Sequence, residues 1–348
     1  MVEWKENRML KVAVIGMGSW GQALVESVQG RSEHLIFTAG HTRTAAKAAE
    51  FCGRLNIRPV ASYEEILADR EIDAVLLATP NSQHSQQVVQ AAAAGKHVFC
   101  EKPFTLDAQA ARVAIDAARK AGIVLGVGFN RRFHPAIVEL RNRVKAGRFG
   151  VIASIMAELT ATSAFYRPAD SWRWSAVEEP AGAMAGIGVH LVDAMIDLVG
   201  PVTEVHCTSV KRAEGQGEDT TSLLLKFANG VTGLAFGSIA ATRNFRLAVY
   251  GAKAFAEVLT PTMDTFRFLP AVEGNASHLA EVPQPETLEY RGVNTARLEL
   301  EQFAQCVLAG RQYPIPLEEV LHGVCVFEAA VKSAASGLPV AVETMDRS

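Results

Sequence analysis

The sequence predicts an α/β protein with an N-terminal Rossmann-type domain and a C-terminal α+β domain that contains a large, mostly antiparallel open sheet. In the first third of the chain, short apolar runs alternate with alanine-rich helical stretches, a pattern typical of βαβ units and a parallel sheet. The pattern changes from about Arg131, and after Gly200-Pro201 long alternating runs follow one another across short turns, which indicates antiparallel strands. The length of 348 residues and a hydrophobic content of 49% suit two domains with sizeable cores.

The composition excludes several classes of partner. A net charge of −3 gives no field that would attract nucleic acid or an anionic membrane. The first eight residues are polar, unlike a secretion signal, and no apolar run approaches the ~20 residues that span a bilayer. The five cysteines are scattered and form no C-x-x-C pair, so we expect reduced core thiols and a cytoplasmic protein.

The predicted elements of the first domain, residues 1–130, follow the two hydrophobic periods in turn. Each apolar run is short enough for a buried strand, and each intervening stretch is long enough for a covering helix. The strands are expected at Leu10–Ile15, Leu35–Ala39, Asp73–Ala78, His97–Cys100 and Ile123–Val127, and the helices at about 20–29, 42–53, 82–94 and 105–121.

The second domain, residues 131–348, begins with a helix and then becomes rich in strands. Asn229-Gly230 lies between apolar runs and predicts a hairpin turn, since both residues tolerate positive φ. Residues 260–290 are proline-rich and are expected to be irregular. Helices are expected at 134–147, 190–199, 294–309 and 317–337, and strands at 151–160, 203–212, 220–228, 231–239, 245–250 and 254–259, with a Trp/Arg-rich loop at 165–180.

A glycine-rich turn follows the first strand and opens the first helix. Gly16, Gly18 and Gly21 form G-x-G-x-x-G, with Ser19 and Trp20 between them. The first glycine suits the tight turn, the second lets a pyrophosphate approach the backbone, and the third lets helix and strand pack closely. The helix N-terminus favours anions, so the motif predicts a dinucleotide site.

The end of the second strand indicates which dinucleotide is bound. NAD sites place an acidic residue there to hold the ribose 2′-hydroxyl, but residues 34–49 contain no Asp or Glu. Thr42 and Arg43 stand there instead, and a hydroxyl followed by a guanidinium suits a 2′-phosphate. We therefore predict NADP(H) in preference to NAD(H), with the alternative that Arg43 is only a solvated surface residue.

Two further motifs follow strands at the edge where open α/β sheets bind ligands. Together with the glycine turn and later stretches, they resemble the Gfo/Idh/MocA family, which includes glucose–fructose oxidoreductase and inositol dehydrogenase. The similarity covers nearly the whole chain. The features that carry it are G-x-G-x-x-G at 16–21, T-P-N-x-x-H at 79–84, E-K-P at 101–103, residues 128–133 with Pro135, residues 186–193 and residues 251–254.

The resemblance implies an NAD(P)-dependent dehydrogenase or reductase that acts on CH–OH groups. Lys102 matches the essential lysine of the family, and an ammonium there suits proton transfer and a developing alkoxide. His190 matches the histidine that binds or deprotonates the substrate hydroxyl, although a buried structural histidine is the alternative. Asp193 shares its helical face and is expected to be an orienting or structural partner in the substrate site rather than a catalyst. The other expected cofactor contacts are Thr79, Pro80, Asn81, His84 and Glu101.

The sequence departs from the family four residues before His190. Sugar and polyol dehydrogenases of this type usually carry an aspartate there, whereas this chain has Gly186, so an acceptor for a substrate hydroxyl and a partner for Lys102 are missing at this position. The family places the loop at 166–174 over the substrate. Its arginines, Arg167 and Arg173, offer guanidinium groups for a carboxylate, and its tryptophans offer rings for stacking. Closing a domain interface is the alternative role of these aromatics. The remaining expected substrate contacts are Asn130, Arg131, Tyr166, Trp172 and Arg173.

The leading hypothesis is an oxidoreductase that uses NADP(H) to interconvert a secondary alcohol and a ketone in a sugar, polyol or related small molecule. A non-catalytic dinucleotide sensor of the same fold is one alternative, favoured by Gly186. An enzyme with a tightly bound, internally recycled cofactor is another. No metal site is expected, because the H-x-x-D pair supplies only two ligands. The resemblance implies a homodimer or homotetramer formed through the second-domain sheet, and it allows the last helices to pack back on the first domain.

Overall fold

The computed structural model describes residues 8–213, 217–272 and 283–343. The chain forms two compact units: unit 1 is Met1–Asn130 with Asn294–Val320, and unit 2 is Arg131–Val293 with Leu321–Ser348. The helices are α1 (Ser19–Val28), α2 (Ala49–Leu55), α3 (Tyr63–Ala68), α4 (His84–Ala93), α5 (Ala108–Ala121), α6 (Pro135–Lys145), α7 (Val189–Val199), α8 (Thr295–Leu308) and α9 (Leu317–Ser336). The strands are β1 (Leu10–Ile15), β2 (Leu35–His41), β3 (Arg58–Pro59), β4 (Ala74–Leu77), β5 (His97–Cys100), β6 (Leu125–Val127), β7 (Ile152–Thr160), β8 (Val202–Val210), β9 (Thr220–Phe227), β10 (Thr232–Ser238), β11 (Asn244–Gly251), β12 (Ala254–Leu259), β13 (Thr265–Pro270), β14 (Glu286–Glu289) and β15 (Val340–Ala341).

Unit 1 contains a parallel sheet with the strand order β3-β2-β1-β4-β5-β6. This is the order of a dinucleotide-binding Rossmann fold, and it confirms the predicted fold class. Strands β1 and β4 are almost wholly buried, as expected where helices cover both faces of a parallel sheet. The sheet brings the carboxyl ends of β1, β4 and β5 side by side, so the three motifs that follow these strands share one edge.

Helix ends in unit 1 follow local chemistry. Helix α5 begins after Asp107, whose carboxylate accepts a hydrogen bond from the Ala110 N–H at 2.7 Å, and it ends at Gly122, which has φ +66°. Such caps satisfy backbone groups that the helix itself leaves without partners. The predicted start at 105 is therefore three residues early.

Unit 2 contains a sheet with the order β14-β13-β12-β11-β7-β10-β9-β8-β15. Neighbouring strands are antiparallel except β7 and β10, which run parallel. The predicted hairpin at Asn229-Gly230 is confirmed: it joins β9 to β10, and Gly230 has φ +86°. The expectation of a large, mostly antiparallel sheet is also confirmed.

Three local predictions were wrong. Residues 260–290, expected to be irregular, contain β13 and β14, although residues 273–282 lie outside the described part. The prolines concealed an alternation in which Phe266 and Phe268 are buried while Arg267 is exposed. The helix expected at 42–53 is a 3₁₀ turn at 45–48 followed by α2, and the short β3 and α3 were not predicted.

The cysteine expectation is confirmed, since all five cysteines are free and buried. Within the described ranges, no helix is long and apolar enough to cross a membrane. Among the same residues, no group of three or more metal-ligating side chains could hold a metal ion.

Candidate active site

The glycine turn of unit 1 is shaped for close backbone approach. Gly16 has φ +93°, and a Cβ there would lie 2.4 Å from the Ala78 carbonyl oxygen. A Cβ on Gly21 would lie 2.1 Å from the Gly16 oxygen, whereas one on Gly18 would meet nothing within 4 Å. The first and third glycines therefore close the turn against β4, and the second faces open space.

That open space adjoins the N-terminus of α1. Gly18 provides no side-chain cap, and the first turn carries no acidic residue, so its N–H groups and the helix dipole are available to an anion. Ser19 and Trp20 lie exposed in this turn, with Trp20 at 39% exposure. The residues present thus fit the pyrophosphate of a dinucleotide.

Thr42 and Arg43 lie directly after β2. Thr42 is half-buried and Arg43 is exposed, and no described residue forms an ion pair with the Arg43 guanidinium. The preceding His41 is held by a contact of its Nδ1 with the Val60 carbonyl oxygen at 3.1 Å. The end of β2 therefore offers an exposed guanidinium and a hydroxyl, with no carboxylate in residues 34–49.

His84 joins the two turns that follow β4 and β5. Its fully buried ring places Nδ1 2.9 Å from the Pro103 carbonyl oxygen and Nε2 3.1 Å from the Thr79 carbonyl oxygen. The Thr79 hydroxyl donates to Gln87 Oε1 at 2.6 Å. The geometry shows His84 as a brace between the turns, which fixes where Thr79, Pro80, Asn81 and Lys102 stand.

Lys102 is half-buried immediately beyond β5. Its backbone N–H donates to Glu101 Oε2 at 3.2 Å, and the Lys102-Pro103 peptide bond is cis. The buried Glu101 carboxylate lies against Gly128, where a Cβ would come within 2.8 Å of Oε1. Gly128 thus makes room for the carboxylate beside the lysine.

Glu299 is a residue of unit 1 that the sequence reasoning missed. It lies on α8 with 0% exposure, and neither carboxyl oxygen has a hydrogen-bond partner among the described residues. Burial, followed by the charge of Glu101, raises the pKa of Glu299 well above its usual value, and Lys102 opposes that rise. Burial therefore favours the protonated form of this side chain. A signal was present, because Glu299 occupies the same helical face as the apolar Phe303 and Cys306.

The packing of α8 accounts for this position. Phe303, one turn after Glu299, packs edge-on against Phe99 of β5 at 5.6 Å between ring centroids. A Cβ on Gly126 would lie 3.1 Å from Phe303. The missing side chain at Gly126 thus makes room for the Phe99–Phe303 pair, and the missing side chain at Gly128 makes room for the Glu101 carboxylate.

In unit 2, His190 lies buried in the first turn of α7. Asp193, expected to be an orienting or structural partner, has both carboxylate oxygens bound by Arg132, with Nε–Oδ2 at 2.9 Å and Nη2–Oδ1 at 2.7 Å. Arg132 also contacts Asp197, which accepts from Arg141 Nε at 2.6 Å. This buried ion-pair network anchors α7, the helix that carries His190.

The Trp/Arg-rich loop is organised around Glu179, a second residue that sequence reasoning missed. Arg173 Nη1 donates to Glu179 Oε1 at 2.9 Å, and Arg167 Nη1 lies 3.7 Å from Oε2. A Cβ on Gly186 would lie 3.2 Å from that Oε2. The carboxylate therefore reaches the backbone of the helical segment that leads to His190. Nothing in the local sequence pattern indicates this contact.

Both loop arginines also stack on tryptophan rings. Arg167 lies 4.6 Å over Trp174, and Arg173 lies 4.4 Å over Trp172. Burial lowers the pKa of Arg167, with Glu179 raising it and Arg173 lowering it. The rings thus hold the guanidinium groups within the loop.

The remaining expected substrate contacts differ in their burial. Tyr166 is 82% exposed. Asn130 has a buried Oδ1 that accepts no hydrogen bond from the described residues. Arg131 lies 5.2 Å over the Phe245 ring, and burial, followed by the charge of Arg243, lowers its pKa to about 10.

Two known protein families match this chain, one in each half. The family described as "Oxidoreductase family, NAD-binding Rossmann fold" matches residues 10–129, and the "GFO/IDH/MocA C-terminal domain" matches residues 137–257. The chain belongs to the Gfo/Idh/MocA family. It is therefore an oxidoreductase, and the recognition of the family from its motifs is confirmed.

Several relatives align along most of this Gfo/Idh/MocA chain. An inositol 2-dehydrogenase from Rhizobium meliloti is 25% identical over 96% of the chain and 99% of its own length. A trans-1,2-dihydrobenzene-1,2-diol dehydrogenase from Bos taurus is 26% identical over 83% of the chain and 85% of its own length. A levoglucosan dehydrogenase in complex with NADH shares the fold, with a TM-score of 0.86, 22% identity and coverage of 97% and 100%.

Proposed function

We propose that this oxidoreductase uses NADP(H) to interconvert a secondary alcohol and a ketone in a cyclic polyol, a sugar or a related small molecule. The observation that carries the proposal is Lys102, which stands at the carboxyl end of β5 on the same sheet edge as the glycine turn. Two relatives are named for substrates whose rings bear hydroxyl groups, inositol and a dihydrobenzene diol, and this supports the proposed substrate class.

The preference for NADP(H) rests on the end of β2. Gly16, Gly18 and Gly21 would hold the pyrophosphate at the start of α1, and Thr42 with Arg43 would hold the 2′-phosphate. The Arg43 guanidinium is exposed and pairs with no carboxylate in the part of the chain that the structure describes, which supports this assignment, since a phosphate gains charge-assisted hydrogen bonds from arginine. Thr79, Pro80 and Asn81 would complete the cofactor contacts.

The protein's residues would divide the chemistry as follows. NADP supplies or accepts the hydride. Lys102 would donate a proton to, or receive one from, the substrate oxygen, because an ammonium there stabilises a developing alkoxide. His190 would bind or deprotonate the substrate hydroxyl, held in place by the Asp193–Arg132 anchor.

Two substitutions test this function. Lys102→Ala should abolish turnover in an NADPH absorbance assay with cyclic polyols and ketoses, while NADPH affinity by fluorescence titration changes only a few-fold. Full activity in that variant would refute the assignment of Lys102. Arg43→Asp should reverse or erase the preference for NADPH over NADH, and an unchanged ratio of kcat/KM values would refute the coenzyme assignment. Arg31→Asp, at an exposed position beyond α1, controls for the change in charge.

Cofactor exchange separates this function from the variant in which the coenzyme is recycled within each turnover. An exchangeable coenzyme leaves the purified protein free of nicotinamide absorbance. A coenzyme that survives gel filtration would favour internal recycling.

We also propose a homo-oligomer, dimer or tetramer, formed through the sheet of unit 2. Leu224, Leu234 and Met156 stand opposite one another on β9, β10 and β7, and Leu224 and Leu234 are 46% and 44% exposed. A row of exposed apolar side chains on an open sheet favours burial against another surface. Leu234→Lys should reduce the mass measured by analytical ultracentrifugation.

A cytoplasmic location is proposed as well, supported by the five buried free thiols.

A further inference from the structure

Glu179 is carried back onto the start of α7 by an unusual stretch of backbone. Ala181 and Gly182 both adopt left-handed conformations, with φ +53° and +54°, which is costly for a residue with a side chain. A wide π-type turn at Met184–Gly188 follows and leads directly into α7. Turns of this kind are frequent at functional sites.

The position of the carboxylate depends on the missing side chain at Gly186. A Cβ there would lie 3.2 Å from Oε2 and 3.8 Å from Cδ of Glu179. That separation to Oε2 is tighter than ordinary van der Waals contact, so even a methyl group would press on the carboxylate. Glycine at 186 and glutamate at 179 are therefore two parts of one arrangement.

The two oxygens of this carboxylate have different surroundings. Oε1 accepts from Arg173 at 2.9 Å, whereas Oε2 is 3.7 Å from Arg167, too far for a hydrogen bond. An ionised carboxylate accepts about four hydrogen bonds. With its side chain only 3% exposed, Glu179 is a buried acceptor whose Oε2 retains capacity for a donor.

Oε2 lies beside the helical segment that carries His190. Gly186 and His190 are four residues apart, so their positions lie about one turn from each other on the same side of the segment. The Glu179 Oε2 atom and the His190 ring are therefore placed to bind two oxygens on adjacent carbons of one substrate molecule.

We propose that Glu179 is a specificity-determining residue, whose Oε2 accepts a hydrogen bond from the hydroxyl on the carbon next to the one that is oxidised. The substrate class is then a vicinal diol, with the matching α-hydroxy ketone as product. This inference rests on the proposed function, in which His190 takes the reacting hydroxyl. Arg173 and Arg167 hold the carboxylate in place.

The test compares two probes that differ by one hydroxyl group, trans-cyclohexane-1,2-diol and cyclohexanol, with NADP⁺ at saturation. The wild type should have a kcat/KM for the diol about 10- to 100-fold above that for the alcohol, as expected for one hydrogen bond to a charged group. Glu179→Gln should lose about 10-fold or more with the diol and stay within two-fold with the alcohol. Asp170→Asn, which removes a carboxylate from an exposed position of the same loop, should change neither value.

Gly186→Ala gives an independent variant that leaves the Glu179–Arg173 pair chemically intact. Its methyl group would displace Oε2, so it too should lose activity selectively with the diol. Equal losses with both probes would overturn the proposal, because damage to the fold does not distinguish the two probes. An active wild type with no preference for the diol would overturn the role of Glu179 alone. A wild type inactive toward every alcohol and ketone, these probes included, would overturn the proposed function as well.

Discussion

The buried carboxyl of Glu299 makes the stability of unit 1 depend on pH in a direction opposite to that of an ordinary carboxylate. Its pKa is raised in the folded state, whereas the unfolded chain has an ordinary value near 4.5. Above that value the unfolded state releases a proton that the folded state keeps, so stability falls as pH rises. The fall ends once pH passes the folded-state pKa.

Glu299→Gln removes this titration while keeping the size of the side chain. Each pH unit between the two pKa values is worth about 1.4 kcal/mol, so the variant's free energy of unfolding should rise relative to the wild type by up to that amount for each unit that pH increases below the folded-state pKa. For a unit of this size, about 1.4 kcal/mol corresponds to about 3–6 °C in Tm. Thermal unfolding followed by circular dichroism, at pH 5.5, 6.5 and 7.5, measures the difference.

A difference in Tm that is constant across this pH range would refute the reasoning, since only a proton kept by the folded state produces the slope. Glu301→Gln makes the same substitution at a partly exposed position of the same helix. The reasoning would also fail if that substitution gave an equal pH-dependent gain.

Three other perturbations test the framework of the site. Asp193→Asn should lower the free energy of unfolding in urea by about 3–5 kcal/mol, because it removes the carboxylate charge that the buried Arg132 guanidinium binds at two atoms; a loss below 1 kcal/mol would contradict this. Gly16→Ala should weaken NADPH binding about tenfold or more through backbone strain and collision, measured by fluorescence titration. Gly30→Ala, also at positive φ but facing open space, should leave binding intact. Phe303→Ala should lower the free energy of unfolding by about 3–5 kcal/mol, and an unchanged urea midpoint would show that its ring is not part of the core.

The fold was largely predictable because its signals are local. Strand and helix periods repeat over a few residues, and the turn at Asn229-Gly230 requires only its own backbone chemistry. The strands β13 and β14 were missed since proline-rich flanks masked the alternation around Phe266. The lengths and the alternation of the predicted elements were enough to predict a parallel sheet in unit 1, although the short β3 at its edge was missed.

Candidate site residues could be predicted from the sequence only where they lie within a short recognisable motif. Lys102 follows a strand end within a short recognisable sequence, and the geometry around it is set by neighbours in the same unit. Glu179 and Gly186 are seven residues apart, but their contact depends on two left-handed residues that include Ala181, a conformation that its sequence does not favour. Glu299 interacts electrostatically with Glu101 and Lys102, which lie almost two hundred residues earlier in the chain. A local hydrophobic period cannot predict a contact over that distance in sequence.

The division of unit 1 into two separate segments has a consequence for its synthesis. Residues Met1–Asn130 emerge first, yet α8, which packs against α1, β1, β2 and β5, follows only after most of unit 2 has been made. Until then the surface that receives Phe303, at Phe99 and Gly126, stays uncovered. The nascent chain thus carries an open apolar groove for much of translation, and a chain halted before Thr295 would be a natural client for chaperones.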